Sequence, residues 1–252
     1  MKKIPIFLIC LLCFVAGTSA VSISIIGIGL YLDPQTPAAE TYRNVKLQKP
    51  LQIYSFDEKL LAEFGERRLI PVQLDEVPPD FIAAILNTED KRFYEHRGID
   101  FISLANDSFG LILSMLGLND TISGASTITM QLARNVSFTL ERRFLRKFKE
   151  MLLALKIEEE LTKQEILELY INLVPFGKRA YGAQAAALTY YGKNLNELNL
   201  AQLAMLAGIP QRPEAGYPIN GPTWALNRRN VVLSRMLSQD SITQEEYLSL
   251  IH

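Results

Sequence analysis

Cysteine is almost missing from this chain of 252 residues, and the two it has, Cys10 and Cys13, both sit in one apolar run near the amino terminus. The rest of the chain has no thiol, so it folds without disulfides and cysteine metal sites are excluded. Net charge is equally scarce: 26 basic against 27 acidic residues leave −1, and no global field argues for nucleic acid. Charge is absent altogether from Ile4 to Leu32, a run of 29 residues, where a bilayer core needs about 20. Behind Met1-Lys2-Lys3 this run reads as an uncleaved anchor: a cytoplasmic tip (1–3), a single span (4–32) and everything after Asp33 outside the cell membrane. A cleavable signal ending at Thr18-Ser19-Ala20 is the rival reading, disfavoured because the apolar run continues to Leu32.

Residues 33–50, rich in Pro, Thr and Ala, form a linker, and 51–252 form one domain. Leu51 to Val72 has two β-rich runs around Asp57-Glu58-Lys59 and predicts a hairpin. Val77-Pro78-Pro79-Asp80 ends it, with Asp80 placed to cap a helix from Phe81 to about Asn87. Beyond that point the periodicity is helical nearly to the end, so the domain is mainly α.

Chemistry concentrates in TEDKRFYEHRGID, Thr88 to Asp100. If the helix continues, Glu89, Phe93 and His96 fall at i, i+4 and i+7 on one face. A carboxylate beside a ring is partly desolvated, which suits a group that must accept a proton near neutral pH. An ordinary solvated helix end with a core-edge histidine would read the same way. Phe101 to Leu118 is apolar with almost no charge, either a core helix or a stretch that dips into the bilayer surface. In SGASTITMQLARN, Ser126 is a ready N-cap, and Thr127, Gln131 and Arg134 make one polar face while Ile128 and Leu132 turn inwards. A helix start with free N–H groups, hydroxyls and an arginine suits phosphate. In ERRFLRKFKE, Arg143, Arg146, Lys147 and Glu150 share one side, with Phe144, Phe148, Leu152 and Leu155 as the buried stripe. A carboxylate among cations suggests a diphosphate clamp. Thr162-Lys163-Gln164-Glu165 is a capping box for a helix that stops at Val174-Pro175-Phe176-Gly177. Ala180 to Thr189, Leu198 to Gly208 and Thr223 to Leu237, which carries Arg228 and Arg229, complete the helices.

TEDKRFYEHRGID, GASTITMQLARN, RKFKE and ILELYINLVPFG, in that order, resemble the motifs of the family 51 peptidoglycan glycosyltransferases, the membrane-bound polymerases of lipid II. The resemblance covers roughly Leu51 to Leu250. It implies a lysozyme-like glycosyltransferase fold with a small membrane-facing jaw, behind the amino-terminal β-hairpin and transmembrane helix. It also implies a β-1,4 glycan product formed with inversion and release of undecaprenyl diphosphate. By matching position, Glu89 is the base and Glu150 the second catalytic carboxylate. Asp90, Phe93, His96, Ser126, Thr127, Gln131, Arg134, Arg146, Lys147 and Asn172 bind substrate. No metal ligand is assigned, though a divalent cation such as Mg²⁺ is a candidate companion at the diphosphate. The partners implied are lipid II, the growing glycan, membrane lipids and other cell-wall synthesis proteins, at a bacterial inner membrane with the catalytic domain in the periplasm.

The chain departs from the family pattern at Met130, where glutamine is usual, and at Arg134, where lysine is usual. It also has no basic residue from Phe101 to Met130, where an arginine is usual around Asn106. These departures leave open a lipid-II-binding or assembly protein without catalysis, and the fold leaves open a glycan-cleaving enzyme. No Ser-x-x-Lys, Ser-x-Asn or Lys-Thr-Gly occurs, so the chain is read as a monofunctional transferase or a piece of a bifunctional one.

Overall fold

The structure is a computed structural model that describes residues 15, 17–19, 23, 27, 29–31, 51–57, 60–64, 68–106, 126–136, 143–214 and 216–251. Those described between 15 and 31 are helical, and the rest of the expected anchor and the linker lie outside the described residues. No helix among the described residues is long and apolar enough to cross a membrane.

The expected hairpin is present: β1 (Leu51–Tyr54) pairs antiparallel with β2 (Leu60–Phe64). A second, unexpected sheet joins β3 (Arg68–Leu69) in parallel to β4 (Ala180–Tyr181). The helices are α1 (Pro79–Glu89), α2 (Ile128–Val136), α3 (Arg143–Glu160), α4 (Lys163–Leu173), α5 (Ala183–Tyr191), α6 (Leu200–Gly208), α7 (Pro222–Ser238) and α8 (Gln244–Ile251). Helix α1 begins two residues before Phe81 because Pro79, with no N–H to satisfy and φ preset, starts it behind Pro78; Asp80 lies in its first turn. The Thr162 capping box forms as expected, with Glu165 N–H donating to Thr162 Oγ1 at 3.3 Å and Thr162 N–H to Glu165 Oε2 at 2.7 Å.

One core runs through the domain. Phe81, Ala84 and Ile85 of α1, Ile128 and Leu132 of α2, Ile166, Leu167 and Tyr170 of α4, and Val232, Leu233 and Met236 of α7 are all fully buried in it. Helix α7 packs on α6 and α1, while α2 packs on α3 and α4, and the residue after α1, Asp90, accepts a hydrogen bond from Ile128 at the start of α2. The buried face of α3 differs from the expected stripe: Lys149, Glu150, Leu153, Ala154 and Ile157 face inwards, whereas Leu155 is exposed. The apolar periodicity alone misplaces the stripe because Glu150 is itself an interior residue, and its i+3 and i+4 neighbours follow it in. The side chains of Arg143 and Phe144 lie outside those described. Of the apolar stretch after Asp100, residues 101–106 are helical with Phe101 and Ile102 exposed, and 107–118 lie outside the described residues.

Two polar knots fix the chain around this core. Asn172, buried in α4, accepts from Val72 N–H (2.9 Å) and donates to the Val72 and Glu168 carbonyls (2.8 and 3.0 Å). Its amide, expected to bind substrate, is engaged by backbone groups here and does not line the cleft described below. Asp100 caps residues 101–106, accepting from Ile102 and Ser103 N–H at 3.1 and 3.0 Å, and pairs with both Nε and Nη2 of Arg92. Burial pushes the Asp100 carboxyl up, but the hydrogen bonds from Arg92 and Ser103 outweigh it and hold the group well below the usual carboxylate range.

Asn172→Ala is expected to cost about 2–4 kcal/mol in denaturant unfolding, because it strands the Val72 backbone groups, and to leave ligand affinity unchanged. Asp100 is lowered on folding, so its contribution is complete above the unfolded value near pH 4 and is lost as pH falls through the folded one. Asp100→Asn is therefore expected to lower the thermal midpoint at pH 7, with the gap to wild type closing progressively as scans move below about pH 4.

Candidate active site

A cleft of about 510 Å³ opens where the end of α1 meets α2 and α7. Glu89 is the last residue of α1, where a carboxylate sits against the negative end of the helix dipole. Donors from two other helices offset that position. Gln131 Nε2 of α2 donates to Glu89 Oε2 at 2.9 Å, and Arg228 Nη2 of α7 to Oε1 at 3.3 Å. The ion pair is largely out of water, its side chains only 10% and 11% exposed. Burial pulls the Arg228 guanidinium below its usual value, and Glu89 pulls it back up. Arg235, further along α7, donates to the Thr88 carbonyl at the same helix end.

The next residue turns the chain. Asp90 Oδ2 accepts from Ile128 N–H at 3.0 Å, and both of its carboxylate oxygens lie 3.0 Å from His96 Nε2. Residues 91–95 are turns, so Glu89, Phe93 and His96 do not share a helical face. The cause is a contact 38 residues away in sequence, which no local periodicity contains. Phe93 is buried, with Lys163 Nζ 4.4 Å from its ring centroid and the His96 ring packed edge-on. Neither Phe93 nor His96 lines the cleft; both support Asp90 from behind. Gly98 completes the turn at φ +80°, and a Cβ there would stand 2.7 Å from the Ala154 carbonyl of α3.

Helix α2 is capped by Thr127, not Ser126. Thr127 Oγ1 accepts from Met130 N–H at 3.1 Å and donates to the Gly98 carbonyl at 2.5 Å. Ser126 Oγ accepts instead from Lys147 Nζ at 2.5 Å. Because Asp90 and Thr127 take the Ile128 and Met130 N–H groups, an anion in this cleft is met chiefly by side-chain charge.

That charge is gathered by Glu150, whose side chain is 4% exposed. Arg134 holds it at two points, Nε to Oε1 at 2.8 Å and Nη2 to Oε2 at 3.1 Å. Arg146 Nε lies 3.5 Å away and Lys147 Nζ 3.7 Å away. All three cations remain substantially exposed, so a buried carboxylate anchors a cationic edge with positive charge in excess. Burial holds the Lys147 ammonium below the usual lysine value; Glu150 opposes that and the two guanidiniums add to it. Of the expected residues, Glu89, Asp90, Ser126, Thr127, Gln131 and Arg134 line the cleft, with Arg146, Lys147 and Glu150 joined to it through Arg134.

Met130, one of the departures noted above, is buried in the interior, so that exchange alters packing and not the cleft surface. Arg134 makes the two-point contact that an ammonium could not. Asn106 is exposed at the end of the 101–106 segment. Among the described residues no group of three or more His, Cys, Asp or Glu could hold a metal ion. The Glu150 oxygens are engaged by Arg134, Arg146 and Lys147. Sequence reasoning gave Arg228, Arg235 and Tyr170 no part in the site. Their signals were slight: two arginines at i and i+7 on α7, and a tyrosine that reads as core.

The transglycosylase family matches residues 57–237, and the chain belongs to it. Penicillin-binding protein 1A of Escherichia coli (strain K12) is 45% identical over 247 residues, which are 98% of this chain and 28% of that protein. The Pseudomonas aeruginosa penicillin-binding protein 1A is 47% identical over 231 residues, 92% of this chain and 28% of that protein. A crystal structure of Penicillin-Binding Protein 1A from Haemophilus influenzae has 34% identity and a TM-score of 0.48, covering 82% of this chain and 21% of that one. The chain spans less than a third of the length of these relatives.

Arg134→Ala is expected to weaken inorganic pyrophosphate binding about tenfold, the loss of one charge-assisted contact, as measured by calorimetry. An unchanged Kd would remove the Glu150 cluster from anion binding.

Proposed function

We propose that the chain is a peptidoglycan glycosyltransferase that extends β-1,4 glycan strands from lipid II. The observation that carries this reading is a desolvated carboxylate, Glu89, fixed by two donors at the wall of a cleft whose far edge is cationic. Glu89 takes the proton of an acceptor sugar hydroxyl as that oxygen attacks the anomeric carbon of the donor. The bond from that carbon to the diphosphate breaks on the opposite face, which inverts the centre. The departing diphosphate keeps the electron pair, and Arg134, Arg146 and Lys147 meet its charge. Glu150 orders those cations and does not touch the reacting atoms. Family membership supports the reading, as does the similarity to proteins named penicillin-binding protein 1A.

The same proposal includes a single-pass inner-membrane anchor at 4–32, an extracytoplasmic domain from 51, and a lysozyme-like arrangement with a membrane-facing jaw beyond Asp100. A charge-free run behind two lysines supports the anchor, and exposed Phe101 and Ile102 support the jaw. Membrane lipids and other cell-wall synthesis proteins are the accompanying partners.

The test is incubation of the solubilised protein with labelled lipid II, with glycan chains read on a gel. Wild type is expected to give polymer and Glu89→Gln to lose about 10²–10⁴-fold in rate, the usual worth of a general base. Wild-type binding of lipid II without polymer would turn the reading to a binding or assembly protein. Release of soluble muropeptides would turn it to a glycan-cleaving enzyme.

A further inference from the structure

Behind Glu89 the hydrogen bonding continues into the core. Gln131, whose Nε2 donates to Glu89, accepts at Oε1 from the hydroxyl of Tyr170 at 3.1 Å. Tyr170 is fully buried in the middle of α4 and does not line the cleft, so it touches no ligand. We propose that Tyr170 is a positioning residue for the base: through a hydrogen bond to Gln131 it anchors the amide that serves Glu89, satisfying whichever end of that amide is turned inwards. This rests on the reading of Glu89 as the base.

The chemistry of the groups supports it. A primary amide has one end that donates and one that accepts, and rotation about the bond that joins it to the side chain exchanges the two. An ionised carboxylate only accepts, so Gln131 serves Glu89 only with Nε2 turned towards it. That orientation aims Oε1 into the interior, where an unpartnered carbonyl is costly and a hydroxyl removes the cost. The Tyr170 phenol stays a hydroxyl at any working pH: burial, and after it the charge of Glu89, holds it well above the usual tyrosine value, against the opposing pull of Arg134. The same hydroxyl can also reverse. Once Glu89 carries a proton it becomes a donor, and Gln131 can present Oε1 to it only by turning Nε2 towards Tyr170. A phenol accepts from that amide as readily as it donates to the carbonyl. The Tyr170–Gln131 pair thus matches both protonation states of the base, and phenylalanine would match neither.

The experiment is steady-state lipid II polymerisation by the full chain carrying Tyr170→Phe, Gln131→Leu or both, with thermal melts alongside. Tyr170→Phe is expected to lower kcat about three- to tenfold with KM unchanged, the worth of one hydrogen bond. In the Gln131→Leu background the second exchange should add less than about twofold, because the path to Glu89 is already cut. A turnover-independent readout is the side-chain amide signal of Gln131 in ¹⁵N-glutamine-labelled protein. It should move in Tyr170→Phe and stay in Tyr190→Phe, whose hydroxyl bonds the Phe176 carbonyl elsewhere. Wild-type kcat with an unmoved Gln131 signal overturns the proposal, as does an equal loss of kcat in both backgrounds. If Glu89→Gln keeps full activity, the base reading falls while a shifted Gln131 signal still reports the Tyr170 contact.

Discussion

A carboxylate at the carboxyl end of a helix and mostly out of water is unfavourable on two counts, and Glu89 is placed in both. Much of the domain can be understood as the set of groups that make that placement tolerable. Helix α7 lies along α1 and brings Arg228 to the carboxylate and Arg235 to the carbonyl before it. Helix α2 abuts the same end and brings Gln131. Removing Gln131 or Arg228 takes the hydrogen bond from one Glu89 oxygen in a largely buried site, which costs more than the contact itself contributes. The packing of α1 against α6 and α7 is therefore also what orients the proposed base.

A second buried carboxylate works in the opposite sense. In the proposed reaction Glu89 is held so that it can act and Glu150 so that its cationic neighbours can. Its oxygens are taken up by Arg134, Arg146 and Lys147, whose outer surfaces stay in water. A buried acid inside a cationic edge keeps like charges together that would otherwise repel, so the diphosphate of the proposed reaction would meet an arrangement already formed, with less ordering needed on binding.

The sequence carried the parts of this whose causes are local. Thr162 and Glu165 lie three apart and make their capping box wherever the helix goes. Glu89, Gln131, Arg134 and Glu150 were legible as charged or polar groups on helices with apolar opposite faces. What stayed hidden was decided across the chain. Asp90 ends α1 because the start of α2 is there to receive it, and the expected face of Glu89, Phe93 and His96 then dissolves into a turn. Thr127 rather than Ser126 caps α2 because Gly98 lets the preceding turn come close enough to accept its hydroxyl. Arg228 finds Glu89 across 139 residues, and Asn172 finds Val72 across 100, separations at which residue type says nothing about partnership. On α3 the apolar pattern was misleading because the helix turns a charged residue inwards, which a stripe drawn through its phenylalanines and leucines cannot show.

The two carboxylates are coupled by α2 itself. Gln131 and Arg134 are three residues apart on it, about one turn or 5 Å along the axis, and one holds Glu89 while the other holds Glu150. The helix is pinned at its start by Asp90 and Thr127, and on its inner side by Ile128 and Leu132 in the core. Its register therefore sets the separation between the group that would take a proton and the cations that would take a leaving diphosphate. A shift of α2 along its axis would displace both contacts together, so precision at the reacting centre depends on how firmly this short helix is capped and packed.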